Sequence, residues 1–157
     1  MKQDKFLTGI LIGIGALILL ALTLFFTRQE KRDYVANNAP DGVVHDYVLA
    51  VLNKDYQKAY GYLADLEHKP TYEEFRQSFF NGVVNPNDTG VDVGSVEIHA
   101  DEAVVNLSVY YSNNDPFSSR YASEDRALLV KQKGEWKLNS MPYSFWDYSW
   151  YQEPFKP

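Results

Sequence analysis

The chain has 157 residues, enough for one domain beyond a short N-terminal segment, with a formal net charge of −6 and no cysteine. The first 33 residues contain five basic and three acidic side chains, so residues 34–157 carry a net charge of −8. Such an acidic body repels phosphate backbones, which argues against nucleic-acid binding. The absence of cysteine excludes disulfides, cysteine-based zinc sites and a thiol nucleophile.

The longest apolar run extends from Phe6 to Thr27 and contains no charged side chain. As a helix it would be about 33 Å long, enough to cross a hydrocarbon core of about 30 Å. A cleaved signal peptide has a shorter apolar core and small residues at its end, whereas this run ends in Phe25 and Phe26. We therefore expect residues 1–5 to be a flank and residues 6–27 to be an uncleaved single-pass signal-anchor.

Two details of this run leave alternatives open. Basic residues flank both of its ends, so the charge count does not fix the orientation, although it leans slightly towards a cytoplasmic C-terminal side. Gly9 and Gly13 form a GxxxG pair of the kind that brings two helices together. Because glycine is also common in membrane helices, we prefer that simpler interpretation of the pair.

After a polar juxtamembrane linker at residues 28–39, the pattern predicts a helix that begins at Pro40-Asp41-Gly42. Proline suits the first helical turn, and Asp41 complements the positive end of the helix dipole. Apolar side chains recur at helical spacing from Val43 to Leu52. This phase places Asp46 away from the apolar face and His45 on its flank.

Two further helices are predicted from their capping residues. Asp55 is typical of an N-cap and precedes a segment with Tyr56 and Ala59 on its inner side. Thr71 and Glu74 have the spacing of a capping box, which opens a third helix that we expect to end near Gly82.

Beyond the turn-rich residues 85–90 the apolar period changes to two, which indicates β-strands. The predicted strands run from Val91 to Ile98, with a bulge at Gly94, and from Val105 to Tyr111. A loop at 112–119 separates them from a third strand within 120–133 and a fourth at 135–138. Three helices followed by an antiparallel meander define an α+β fold, with the helices on one face of a curved sheet.

Several segments together resemble the NTF2-like (cystatin-like cone) superfamily. They are the first helix Val43–Leu52, the phrase Asn53-Lys54-Asp55-Tyr56-Gln57-Lys58-Ala59-Tyr60, the run Thr71–Phe75 followed by Phe79, and Gly134-Glu135-Trp136-Lys137-Leu138. The resemblance covers about Pro40 to Ser140. The chain is similar in particular to small membrane-anchored or exported bacterial domains of unknown function. It implies a cone in residues 40–157 and an extracytoplasmic location, but it specifies no activity.

Enzymes of that superfamily place inside the cone a carboxylate that acts as the general base and a tyrosine or aspartate that donates a hydrogen bond. Tyr47, Tyr60, Tyr110 and Asp125 are candidates for such positions here, although no motif assigns a catalytic residue. A structural role for these tyrosines is the preferred interpretation. His45, His68 and His99 lack metal-ligand spacing, so we expect neither a metal nor a cofactor.

The C-terminal tail is unusually rich in aromatic residues between Tyr143 and Phe155. Trp146 and Trp150 are the candidates for a surface that stacks on a sugar ring or peptide, or that contacts lipid headgroups. The preferred interpretation is that the tail packs on the domain, because so dense an exposed aromatic segment would aggregate. Strand alternation is predicted for residues 143–151.

These observations lead us to expect a single-pass membrane protein of the cell envelope whose domain is a non-catalytic binding or accessory module. Its partners would be the lipid bilayer, through residues 6–27, and a ligand that the sequence does not identify. The alternatives are a cone-type enzyme acting on a small apolar substrate and a module that forms a homodimer. An open apolar interior with an acid beside a tyrosine would favour the enzyme, and a filled interior would favour the module.

Overall fold

The computed structural model describes residues 5–27, 34–35, 38–111 and 121–153. The chain divides into two compact units, residues 1–33 and 34–157. The first contains helix α1, Lys5–Thr27, whose described side chains at residues 8–24 are largely exposed. Among the described residues, no helix combines the length and apolar character needed to cross a membrane, so the transmembrane prediction is not confirmed.

Three helices open the second unit: α2 (Pro40–Leu52), α3 (Tyr56–Gly61) and α4 (Tyr72–Phe80). The predicted caps are confirmed, because Asp55 accepts a hydrogen bond from the Lys58 amide and Thr71 forms a complete capping box with Glu74. The hydrogen bonds from Thr71 lower the pKa of Glu74. Helix α4 is followed by Asn81 as C-cap and by Gly82, whose positive φ of 73° is a conformation that glycine adopts without a Cβ penalty.

The predicted orientation of Asp46 is wrong. Asp46 is buried, because nearly every residue of α2 packs against the rest of the domain. Its Oδ1 accepts the backbone N–H of Val35 at 2.7 Å and lies 3.1 Å from Nδ1 of His45, while Oδ2 accepts the Tyr62 hydroxyl at 3.4 Å. The helical period predicted only one buried face of α2. The face that carries Asp46 is covered by residues that precede the helix, such as Val35.

The sheet contains strands β1 (Thr89–His99), β2 (Glu102–Tyr111), β3 (Tyr121–Gln132) and β4 (Glu135–Ser140), in that order and all antiparallel. The predicted bulge is confirmed by a register shift between Val93 and Val96. A Cβ added to Gly94 there would lie 3.0 Å from the Asn106 carbonyl oxygen, so a larger residue would require the neighbouring backbone to shift by a few tenths of an ångström. The loop predicted at 112–119 lies outside the described residues.

The edge of the sheet at β4 is extended by the segment that follows α3. The main chain at Tyr62 and Ala64 pairs with Leu138 of β4 by two hydrogen bonds of 2.8 Å. Alternate residues of β2, from Ala103 to Val109, are buried and face the helices, as the period of two predicts.

The aromatic tail packs into the core, as expected. The buried residues of the segment 141–150 are Met141, Pro142, Ser144, Phe145, Trp146 and Trp150. The predicted strand alternation is wrong, because residues 143–151 consist largely of turns and adjacent residues Phe145 and Trp146 are both buried. Consecutive turns allow neighbouring side chains to point into the same core, which a strand does not.

Candidate functional site

The space between helices and sheet is filled by the chain's own side chains. Tyr47 of α2 is fully buried, and its hydroxyl donates a 2.7 Å hydrogen bond to the Phe145 carbonyl oxygen. Its ring lies 6.2 Å from Trp146, which lies 4.9 Å from Trp150. Burial raises the pKa of Tyr47 well above its ordinary value. These three predicted site residues therefore meet in the core of the domain.

Of the remaining candidates, Tyr60 joins the edge of that cluster through Phe75, whose ring lies 4.9 Å from that of Trp150, whereas Tyr110 lies apart from it. Tyr60 packs against Tyr72 and Phe75, and its hydroxyl donates to the Pro70 carbonyl oxygen at 2.8 Å. Tyr110 alternates with buried Val109 and so lies on the outer sheet face, where a hydrogen bond with Asp92 raises its pKa.

Asp125 is paired across the sheet with Leu107 and shares its inner face. The structure thus does not bring Asp125 together with Tyr47, Tyr60 and Tyr110 in one site. Asp46 does lie beside a tyrosine, Tyr62, but the backbone of Val35 and the ring of His45 enclose it.

A surface groove of about 720 Å³ lies where α3 and α4 meet the end of α2 and the segment 82–87. Tyr56, Phe79 and Phe80 form its aromatic side: the ring of Tyr56 is 4.9 Å from that of Phe79 and 5.9 Å from that of Phe80. Phe80 is 65% exposed, unusual for a large apolar ring on a short helix. We call this cavity the aromatic groove. Its volume is in the range typical of small-molecule sites.

The charged side chains of the aromatic groove are Lys54, Asp55 and Arg76, so its lining is net positive in an acidic domain. The Arg76 guanidinium lies 5.3 Å from the centroid of the Phe80 ring, within the range of a cation–π contact. Its Nη2 donates to Glu73 at 3.3 Å. Its Nε is buried and has no hydrogen-bond partner among the described residues. The groove therefore offers a flat apolar wall beside an incompletely paired cation.

A second hollow of about 740 Å³ shares Leu52, Pro86 and Asn87 with the aromatic groove and continues towards Tyr110. Its charged side chains are Asp88 and Asp92, so it has the opposite sign. The two cavities together form a surface depression with a cationic end and an acidic end.

A third hollow, of about 350 Å³, lies where the tail crosses α4. Here Ser78 donates to Asp147 at 2.7 Å, and the Trp150 indole N–H donates to the Ser78 hydroxyl at 3.2 Å. Burial opposes ionisation of Asp147, but hydrogen bonds from Ser149 and Ser78 outweigh it and lower the pKa of Asp147. These hydrogen bonds fasten the tail to α4.

Within the described ranges, no cluster of histidine and carboxylate side chains could hold a metal ion. The aromatic groove itself was not among the sequence predictions. Tyr56 and Phe79 were assigned to the inner sides of their helices, and that assignment holds in part, because both are half-buried against the core. Phe80 directly follows Phe79, and adjacent side chains of a helix point about 100° apart, so one narrow buried face does not cover both. This exposed second phenylalanine is the signal that could have indicated a surface site.

No family model matches the chain, and no curated protein matches it. Solved structures do. One is a SEC-C motif containing protein from Rhodopseudomonas palustris, with 12% identity, 66% of this chain and 77% of that chain covered, and a TM-score of 0.47. Another is an uncharacterised cystatin-fold protein from Novosphingobium aromaticivorans, with 8% identity, coverage of 68% and 100%, and a TM-score of 0.42.

A third is a candidate calcium/calmodulin-dependent protein kinase II association domain from Xanthomonas campestris, with 14% identity, coverage of 62% and 88%, and a TM-score of 0.34. At these TM-scores the likenesses carry no argument about function. The α+β order and the four-stranded antiparallel sheet are consistent with an NTF2-like or cystatin-like fold.

Proposed function

We propose that the chain is a single-pass membrane protein whose residues 34–157 form a non-catalytic ligand-binding module at the cell envelope, with an NTF2-like cone as its scaffold. The observation that carries the proposal is the burial of Tyr47, Phe145 and Trp146 together in the core between helices and sheet, which favours a binding module over an enzyme with an open interior. A ligand would therefore bind at the surface, and the aromatic groove has the size and lining for it.

Membrane attachment is proposed from the sequence, in which the run Phe6–Thr27 is uncharged, and not from the described helices, none of which has the length and apolar character needed to cross a membrane. The described side chains of α1 are exposed, among them Ile12 at 69% and Leu17 at 67%. A row of exposed leucine and isoleucine side chains is unfavourable in water and favourable in lipid. The resemblance to anchored and exported bacterial domains favours a location outside the cytoplasm.

The absence of cysteine allows a direct test of the topology. A single cysteine at Glu67, whose side chain is 90% exposed, should react with a membrane-impermeant maleimide in intact spheroplasts. A single cysteine at Gln3 is the matched control and should react only after lysis. The reverse pattern would place the domain in the cytoplasm, and recovery of the protein in the soluble fraction would exclude the anchor.

Binding at the aromatic groove is tested with an uncharged flat probe, 2-naphthamide, by calorimetry on the full chain in lipid nanodiscs. Empty nanodiscs provide the blank. Phe80→Ala should weaken binding, because the exposed ring of Phe80 forms one wall of the groove. Binding that is insensitive to this substitution would place the probe elsewhere.

A further inference from the structure

We propose that the ligand of the aromatic groove is a small carboxylate with a flat apolar body, and that Arg76 recognises its charge. The inference rests on the proposed function and adds to it the chemical class of the ligand. Four features of the described residues carry it: the aromatic wall, the net positive lining, the incompletely paired Arg76, and the opposite charge of the adjoining hollow.

The guanidinium of Arg76 has five N–H donors, and its hydrogen bond to Glu73, at 3.3 Å, uses one of them. Glu73 is exposed and also accepts from Gln77 at 3.0 Å, so its carboxylate is shared between two donors. Nε is buried and out of reach of a ligand, so an incoming acceptor would meet the Nη groups of the guanidinium. The side chain as a whole is 40% exposed, so an incoming acceptor can reach the fork from the groove.

A carboxylate matches this fork because its two oxygens accept two parallel N–H groups. The Phe80 ring, 5.3 Å from the guanidinium carbon, restricts the swing of the Arg76 side chain on one side. An apolar ring attached to the carboxylate would then lie against Tyr56, Phe79 and Phe80, where offset and edge-to-face ring contacts are favourable.

The adjoining hollow determines the direction of the ligand. Asp88 and Asp92 repel an anion, whereas in the aromatic groove the two cations, Lys54 and Arg76, outnumber the single acid, Asp55. The charged end therefore lies at Arg76, and any extension of the ligand towards Pro86 and Asn87 would be neutral or cationic. A cationic ligand with the same ring is expected to bind more weakly, because its charge would face Arg76.

The test compares three probes that share one ring system: 2-naphthoate, the neutral 2-naphthamide and the cationic 2-naphthylmethylammonium. Calorimetry on the full chain in nanodiscs should give the tightest binding for 2-naphthoate, by about tenfold to a hundredfold over the amide, as a charge-assisted hydrogen bond implies. This comparison uses the unaltered protein, so it does not depend on the folding of any variant.

Variants then assign the effect to residues. Arg76→Gln should remove the preference for 2-naphthoate and leave 2-naphthamide binding unchanged, and Arg76→Lys should retain part of the preference because it keeps the charge without the planar fork. Arg126→Gln is the matched control, because Arg126 is an exposed arginine of β3 that does not line the groove, and it should leave 2-naphthoate binding unchanged.

The outcomes separate the two proposals. Equal binding of the acid and the amide, or a preference that survives Arg76→Gln, would overturn the carboxylate inference and leave the binding module intact. Failure of all three probes to bind, or binding unaffected by Phe80→Ala, would overturn the proposed function at this groove and the inference with it.

Discussion

Replacement of Phe145 by alanine tests whether the tail is part of the folded core. The Phe145 side chain is fully buried, and its carbonyl oxygen accepts the Tyr47 hydroxyl at 2.7 Å. Truncation of a buried phenylalanine costs roughly 3–5 kcal/mol, because it removes apolar contact and leaves a cavity. That loss is a large fraction of the roughly 5–15 kcal/mol that stabilises an ordinary domain.

The measurement is urea unfolding of residues 34–157, the second compact unit, followed by tryptophan fluorescence. With a slope of about 2 kcal/mol per molar urea, the expected loss lowers the midpoint by about 1.5–2.5 M. Tyr143→Ala is the control: Tyr143 lies two residues earlier, is 61% exposed and should cost no more than about 1.5 kcal/mol, because it loses mainly its stacking on Tyr111. Equal midpoints for the two variants would refute the buried tail and revive the interpretation of the tail as a binding surface.

Three further results are expected from the same unfolding assay. Trp136→Ala should cost roughly 3–5 kcal/mol, because Trp136 is buried. His45→Ala should cost distinctly less, because the His45 side chain is 37% exposed. Equal losses would mean that the buried side of the helix or of the strand is wrongly assigned. Asp46→Ala should cost about 1–3 kcal/mol and speed amide exchange at Val35, since the Val35 N–H loses its acceptor; unchanged exchange would exclude that hydrogen bond. Burial and the neighbouring Asp46 raise the pKa of Tyr62 to about 12, so the unfolded state releases the hydroxyl proton at lower pH than the folded state does. The free energy of unfolding should therefore fall between about pH 10 and 12, and less steeply in Tyr62→Phe. A flat profile in this range would contradict the burial of Tyr62.

Local signals were sufficient for the caps and for the strands. Asp55, Thr71 and Glu74 satisfy helix termini through residues two or three positions away, so their role is visible in the sequence. The alternation in β2 is likewise local, because each side chain's face follows from the period of two. The glycine bulge at Gly94 belongs to the same class, since it interrupts that period.

Features that depend on distant segments were not predicted. Asp46 was assigned to solvent because its hydrogen-bond donors are the Val35 backbone N–H and the Tyr62 hydroxyl. The helical period of α2 reveals neither of them. The turns of residues 143–151 depend on hydrogen bonds from Tyr47 and Ser78, far earlier in the chain. The aromatic groove combines the ends of three helices with residues 82–87, so its lining residues acquire a common site only in the folded domain.

The aromatic residues of this chain can be sorted by the partners of their polar atoms rather than by their number. The hydroxyls of Tyr47, Tyr60 and Tyr151 donate to backbone carbonyl oxygens, and the Trp150 N–H donates to Ser78. Aromatic side chains whose polar tips are satisfied within the chain gain nothing polar from a ligand, so a structural role suffices for them. At the aromatic groove the situation is reversed, because an exposed phenylalanine ring lies beside a guanidinium whose buried N–H has no acceptor among the described residues. A carboxylate with a flat apolar body would pair with the exposed part of that guanidinium and cover the ring, which is the physical reason to look for function there.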